Sequence, residues 1–204
     1  MRGTPLPVLF WVVGAVWLLG YVFLRKARAW LLAYMLGTVG FTLLLVYALR
    51  GSVIESFIER SSALAAHYVS SALGIPTKVF FNAPGTLLVL IVYQEVGWTA
   101  IEIDIECSGL LEFTVFTGLV LFFNGFSRKY RATVLPLGLA ATFLMNVARI
   151  VIIVATIHFG GKSAIYIAHT VVGRAIFFLM VIALYWYVFT RATSLAIRRR
   201  LMGD

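Results

Sequence analysis

The chain has 204 residues, 62% of them apolar and only 12% charged, where a soluble domain carries about a quarter charged residues. With a mean hydropathy of +0.98 this is the composition of a membrane protein, and the formal charge of +9 does not point to nucleic acid, because the 17 Lys and Arg sit mainly in short clusters beside apolar runs, where they fix orientation in a bilayer. The single cysteine, Cys107, excludes an intrachain disulfide and a multi-cysteine metal site, and leaves a thiol that is free, paired with another chain, or chemical.

The expected fold is an all-α polytopic membrane protein in one membrane domain, with about five transmembrane helices, an amphipathic helix and a small extracytoplasmic β-element. The first span runs from Pro5 to Leu24; about 20 residues is too long for a signal-peptide core, and Arg25, Lys26 and Arg28 follow with no small-residue cleavage site. The second, Ala29 to Leu49, follows at once, so the two make a tight hairpin. Residues 50–106 contain no uncharged stretch long enough to cross as a helix. Within them, Val53 to Leu73 carries Glu55, Glu59, Arg60 and His67 among apolar residues at near-helical spacing, which predicts an amphipathic helix lying at the interface or capping the spans. Lys78 to Asn82, Thr86 to Tyr93 and Trp98 to Ile105 are rich in β-branched and aromatic residues, and the last alternates as Ile101, Glu102, Ile103, Asp104, Ile105. Pro84-Gly85 and Gly97 supply the breaks. The remaining spans are Cys107 to Phe126, Ala132 to about Phe159, and about Ala164 to Thr190.

Basic residues set the orientation. Arg25, Lys26 and Arg28, then Arg128, Lys129 and Arg131, then Arg191, Arg198, Arg199 and Arg200 alternate to one side, while the long segment holds Arg50, Arg60 and Lys78 against six acidic residues. By the positive-inside rule the N-terminus and the β-element are outside and the C-terminus is cytoplasmic, with Arg2 alone opposing.

Arg149 lies inside the fourth span, where a charge costs about 2.5 kcal/mol on insertion scales and requires a partner or a water-filled cavity. Helix rise gives its depth. Cys107 stands 20 residues from Ser127 and Arg149 stands 18 from Arg131, so both lie about 27 to 30 Å above the cytoplasmic turn; His169, 21 residues before Thr190, reaches about 31 Å. Three helices thus deliver a thiol, a guanidinium and an imidazole to one level near the outer face. A neighbouring His or Arg lowers a thiol pKa; His169 can take the thiol proton and return it to a leaving amine; Arg149 can stabilise an oxyanion. Backbone N–H groups around Ser108 and Gly109 can add to this through the helix dipole. The bland readings are an inert small cysteine, an interfacial histidine, and an arginine paired with Glu112 or with backbone carbonyls.

Glu106-Cys107-Ser108-Gly109-Leu110, then Asn146-Val147-Ala148-Arg149-Ile150, then Ala168-His169 followed by Gly173 and an aromatic-rich span, resemble the three signature blocks of the exosortase/archaeosortase family. Its members are polytopic membrane proteins regarded as cysteine transpeptidases that act on C-terminal sorting signals of exported proteins. The resemblance covers about residues 75 to 190. It implies Cys107 as nucleophile, Arg149 as oxyanion or substrate stabiliser, His169 as general base and acid, and Arg174 as an accessory. Many members have about eight spans, against five expected here.

Other polar residues are candidates around the substrate. Asn146, one turn before Arg149, can orient its guanidinium or simply pack. Glu106 and Glu112 can pair with Arg149 or Arg174, or Glu106 can be solvated. His158 reads as an interface anchor and as the second choice for the base, and His67 as a solvated or lipid-facing residue. No metal-ligand spacing or glycine-rich phosphate loop is present, and no cofactor is expected. The expected activity is a membrane cysteine protease/transpeptidase that cleaves sorting signals at the extracytoplasmic face through a thioester and passes them to an acceptor, which is a lipid, an amine or water. Its partners are the bilayer and exported proteins ending in a motif, a transmembrane helix and a basic cluster, with no nucleic acid. The rival is a non-catalytic membrane subunit or small transporter with Arg149 and His169 lining a polar pathway.

Overall fold

The computed structural model describes residues 6–81, 88–93 and 97–191. Pro84-Gly85, Arg2 and the basic cluster Arg198 to Arg200 lie outside the described residues. Four helical segments are long and apolar enough to cross a membrane, Val8–Lys26, Trp30–Leu49, Arg128–Gly160 and Lys162–Thr190, with a shorter apolar helix, Leu110–Phe122, among them. The protein is a polytopic helical membrane protein with one small sheet.

Helices α1 (Leu6–Lys26) and α2 (Trp30–Leu49) form the hairpin, turning through Arg28 at φ 58°. The Trp17 indole donates to the Leu36 carbonyl at 2.8 Å, and the Phe122 ring meets Trp17, Tyr21 and Phe41 edge-on or tilted. These contacts fasten the hairpin to one side of α5 (Leu110–Phe122).

Helix α3 (Val53–Ala72) starts where the Ser52 hydroxyl accepts from the Glu55 N–H. Its buried residues, Glu59, Ser62, Ala63, Ala66 and Ser70, recur at three- and four-residue intervals, and small side chains there let it lie close over α6 and β1. Of the two placements its amphipathic pattern allows, it takes the capping one. His67 Nδ1 lies 2.7 Å from Thr77 Oγ1, so this histidine ties α3 to the sheet rather than facing solvent or lipid.

Strands β1 (Thr77–Phe81), β2 (Leu88–Tyr93) and β3 (Trp98–Glu102) pair antiparallel in the order β1-β2-β3, with Ile91 between Lys78 and Ala100. The alternation predicts β3 continuing to Ile105; it stops at Glu102. Asp104 turns instead into a helix cap, its carboxylate accepting from the N–H groups of Glu106 (3.1 Å) and Cys107 (3.0 Å). That cap opens α4 (Ile105–Ser108), and Gly109, at φ 85°, bends the chain into α5. The expected span from Cys107 to Phe126 is therefore two helices. Cys107 sits on the short α4, ahead of the membrane helix.

Helix α6 (Arg128–Gly160) has 33 residues, about 50 Å at 1.5 Å per residue, and forms the spine on which α3, α5 and the last segment pack. That segment passes through a 3-10 turn (Lys162–Ala164), a π-helical turn (Ile167–Val172) and α7 (Gly173–Tyr185), then a second π-helical turn (Trp186–Arg191). Two cores result. One joins Leu90, Val92, Ile101 and Ile103 to Ala63, Ala66, Ile150, Val154 and Ile157 around Cys107. The other, at the opposite end, gathers Phe116, Phe126, Tyr130 and Val188.

Candidate active site

Cys107 comes from α4, Arg149 from α6 and His169 from the π-helical turn before α7. A π turn widens the helix by one residue and re-aims the side chains on it, a feature frequent at functional sites. Here Ala168 is fully buried against α6, and the next side chain, His169, places Nε2 3.3 Å from Cys107 Sγ. The Arg149 guanidinium donates to the Glu106 carbonyl at 2.9 Å and lies over the Phe177 ring, 4.7 Å from its centroid. Cys107, Arg149, His169 and Arg174 share the lining of a cavity of about 30 Å³ with Glu106 and Ile153, about the volume that one water takes in the liquid. The three residues that helix rise sets at one depth thus meet at one point.

The family model for transmembrane exosortases matches residues 3–187. The chain belongs to the transmembrane exosortase family. Membership carries a membrane transpeptidase role in general terms. No curated protein and no solved structure matches the chain.

In this exosortase the backbone at Cys107 is over-determined. The Cys107 and Ser108 N–H groups bond back to the Asp104 carbonyl at 3.1 and 2.8 Å, and the Cys107 N–H also meets the Asp104 carboxylate. The Cys107 carbonyl accepts from Asn146 Nδ2 at 3.0 Å, and the Ser108 carbonyl accepts from the Ser62 hydroxyl at 3.0 Å. Gly109 adopts a positive φ, and a Cβ there would stand 3.1 Å from the Asn146 side chain, so glycine is needed for both conformation and space.

Several assignments change as a result. Asn146, fully buried, holds the cysteine backbone and does not orient Arg149. Ser108 is fully buried, and its hydroxyl donates to the Ile105 carbonyl at 3.1 Å, which supports the turn. Gly109 is the joint between helices. The N–H groups of Cys107 and Ser108 are spent on Asp104, and the Arg149 guanidinium shares the small cavity with the Cys107 thiol and His169. Arg149 reaches the main-chain carbonyl of Glu106, and among the described residues neither Glu106 nor Glu112 forms an ion pair with it or with Arg174. His158 contacts Phe159 (ring centroids 4.9 Å apart) and is not among the residues lining the cavities at Cys107. Asp104 and Ser62 join the site, through their bonds to Cys107 and Ser108, beyond the residues the sequence motifs mark. An acid just before Glu106-Cys107 is a readable cap signal, whereas Ser62 reaches Ser108 only through the packing of α3.

Burial pushes the Cys107 thiol up to about 11, with the Arg149 charge opposing and the Asp104 and Glu106 carboxylates adding to the rise. Burial thus favours the thiol form, with the His169 imidazole in contact with it.

Two larger spaces open from this point. On the sheet side, a cavity of about 290 Å³ is lined by Ala100, Ile101 and Glu102 of β3, by Asp104, Glu106, Cys107 and His169, and by Ile153, Ile157 and Ile165. On the other side, a groove of about 680 Å³ between α5 and α7 carries Glu106, Glu112, Arg149 and Arg174 at its head and Leu111, Val115, Phe178, Val181 and Tyr185 below. Tyr185, whose ring packs against Phe116 with centroids 5.8 Å apart, lines its far end.

Proposed function

We propose that the chain is a cysteine transpeptidase that cleaves the C-terminal sorting signals of exported proteins at the extracytoplasmic face. The single observation that supports this reading most is the 3.3 Å approach of Cys107 Sγ to His169 Nε2 beside a buried arginine.

Burial favours the neutral thiol, and His169 Nε2 stands 3.3 Å from Sγ, so the thiol proton leaves in the attacking step. His169 Nε2 takes that proton as Sγ bonds to the scissile carbonyl carbon, and the carbonyl oxygen becomes an oxyanion facing Arg149. The C–N bond then breaks, the departing nitrogen takes the proton from His169, and a thioester remains on Cys107. An acceptor amine, hydroxyl or water gives its proton to His169, bonds to the thioester carbon and expels Sγ, which regains the proton. An amine or lipid acceptor gives transfer; water gives hydrolysis. The apolar helix of the sorting signal suits the groove between α5 and α7, whose lining is mostly apolar below Arg174.

The test is processing in cells. Cys107→Ala is expected to accumulate uncleaved precursor while the protein stays in the membrane, since the lost side chain is worth roughly 1 kcal/mol of burial. Full processing by this variant would return the chain to the transporter or subunit reading. A cysteine introduced at Lys78 in the same background is expected to label from outside; labelling only after permeabilisation puts the site on the wrong face.

A further inference from the structure

We propose that the edge of β3 at Ala100, Ile101 and Glu102, on the side away from β2, is the docking site for the residues preceding the scissile bond, which add to it as a fourth strand running parallel to β3. This rests on the transpeptidase reading and specifies how its substrate is held. In the order β1-β2-β3, β3 pairs with β2 on one side, and no described strand covers the other. An uncovered edge offers alternate main-chain N–H and C=O groups to an incoming strand.

This edge borders the nucleophile. Ala100, Ile101 and Glu102 line the same cavity as Cys107 and His169, and Ile153, Ile157 and Ile165 give that cavity an apolar wall. An extended peptide places alternate side chains on opposite faces, so one set meets the isoleucines while the other points away.

Direction follows from the two spaces on either side of Glu106, next to Cys107. A segment continuing into an apolar membrane helix sends that helix into the groove between α5 and α7, so whatever precedes the scissile bond lies on the sheet side. β3 itself runs from Trp98 toward α4 and Cys107. A substrate approaching the thiol along this edge therefore runs the same way. Parallel pairing uses evenly spaced, slanted bonds made by alternate residues of each strand.

The test uses the full chain in membranes and N-acetyl tetrapeptidyl vinyl sulfones built from Ala and Val. Cys107 Sγ adds to the vinyl β-carbon, and the α-carbon takes up a proton, fixing the peptide with its N-terminal side in the position of the acyl group. Single N-methylation of each amide in turn removes one donor at a time. The expected result is alternation: labelling of Cys107 slows about tenfold when a bonding amide is methylated and changes little at the amides between. A benzophenone at the peptide N-terminus is expected to crosslink near Trp98. Uniform sensitivity to N-methylation, or crosslinks at Phe178 or Val181 with Cys107 still alkylated, overturns the strand and leaves the nucleophile standing. A Cys107 inert to both the vinyl sulfones and iodoacetamide overturns the transpeptidase reading and the strand with it.

Discussion

The turn that carries Cys107 and the groove between α5 and α7 lie side by side and are built in opposite ways. Around Cys107, four side chains or main-chain groups from Asp104, Ser62 and Asn146 hold the backbone, and Gly109 supplies the only conformation that fits. In the groove, Arg174 is exposed at membrane depth with no hydrogen-bond or ion-pair partner among the described residues, and Arg149 Nε and one Glu112 oxygen are buried without one. Unpaired charge at membrane depth is costly and marks function. The turn at Cys107 is held from several sides, while the groove leaves polar groups without partners among the described residues.

The largest effect that sharpens this contrast belongs to Arg149, which serves both regions. Arg149→Lys is expected to insert and fold yet lose about a hundredfold or more in turnover, because an ammonium cannot hold the Glu106 carbonyl and an oxyanion with one planar fork. Near-normal processing by this variant would reduce its role to a general charge. Next comes Asn146→Ala, which leaves the buried Cys107 carbonyl without its donor, a loss of about 1–3 kcal/mol. Part of it is expected to appear as misplacement of Sγ: turnover falls about tenfold, while the pH dependence of Cys107 alkylation keeps its midpoint. A shifted midpoint would mean that Asn146 tunes the thiol instead of placing it.

Arg174→Ala is expected to do less. If Arg174 only meets an incoming segment, the variant raises the substrate concentration needed for half-maximal rate and leaves the maximal rate nearly intact; an equal fall in maximal rate would place Arg174 with Arg149.

Much of this arrangement was legible in the sequence, and the parts that were not have physical reasons. Counting helix rise from the basic turns puts Cys107, Arg149 and His169 at one depth, because rise per residue is nearly fixed once helices are assumed. The same counting cannot give rotation about a helix axis. So Asn146, which the sequence leaves between orienting Arg149 and packing, meets Cys107 on another element. The alternation from Ile101 to Ile105 reads as one strand, yet Asp104 ends it, since a carboxylate that meets the N–H groups of Glu106 and Cys107 is worth more as a cap than as one more pleat. Nothing local marks the π turn under His169 or the reach of Ser62 from α3, both of which depend on how distant helices pack.

The smallest expected effect concerns the cap that α3 places over the site. Glu59 is buried there, and burial, with Glu55 and Asp104 nearby, pushes its carboxyl up to about 7. Between the ordinary carboxylate value and about 7 the folded state holds the proton that the unfolded state has lost, so stability falls as pH rises through that window and levels off above it. Glu59→Gln is expected to flatten this slope in thermal unfolding followed from pH 5 to pH 8; an unchanged slope would assign it to other groups.

The claim on which everything else depends is that Cys107 carries the cleaved chain as a thioester. Mass spectrometry of the wild-type protein, isolated from membranes in which the acceptor is withheld, measures this directly. The expected result is an adduct on Cys107 that hydroxylamine removes, that Cys107→Ala lacks and that Arg149→Lys accumulates far more slowly. Substrate matured in full, with Cys107 unmodified at every time sampled and replaceable by Ala, would contradict it.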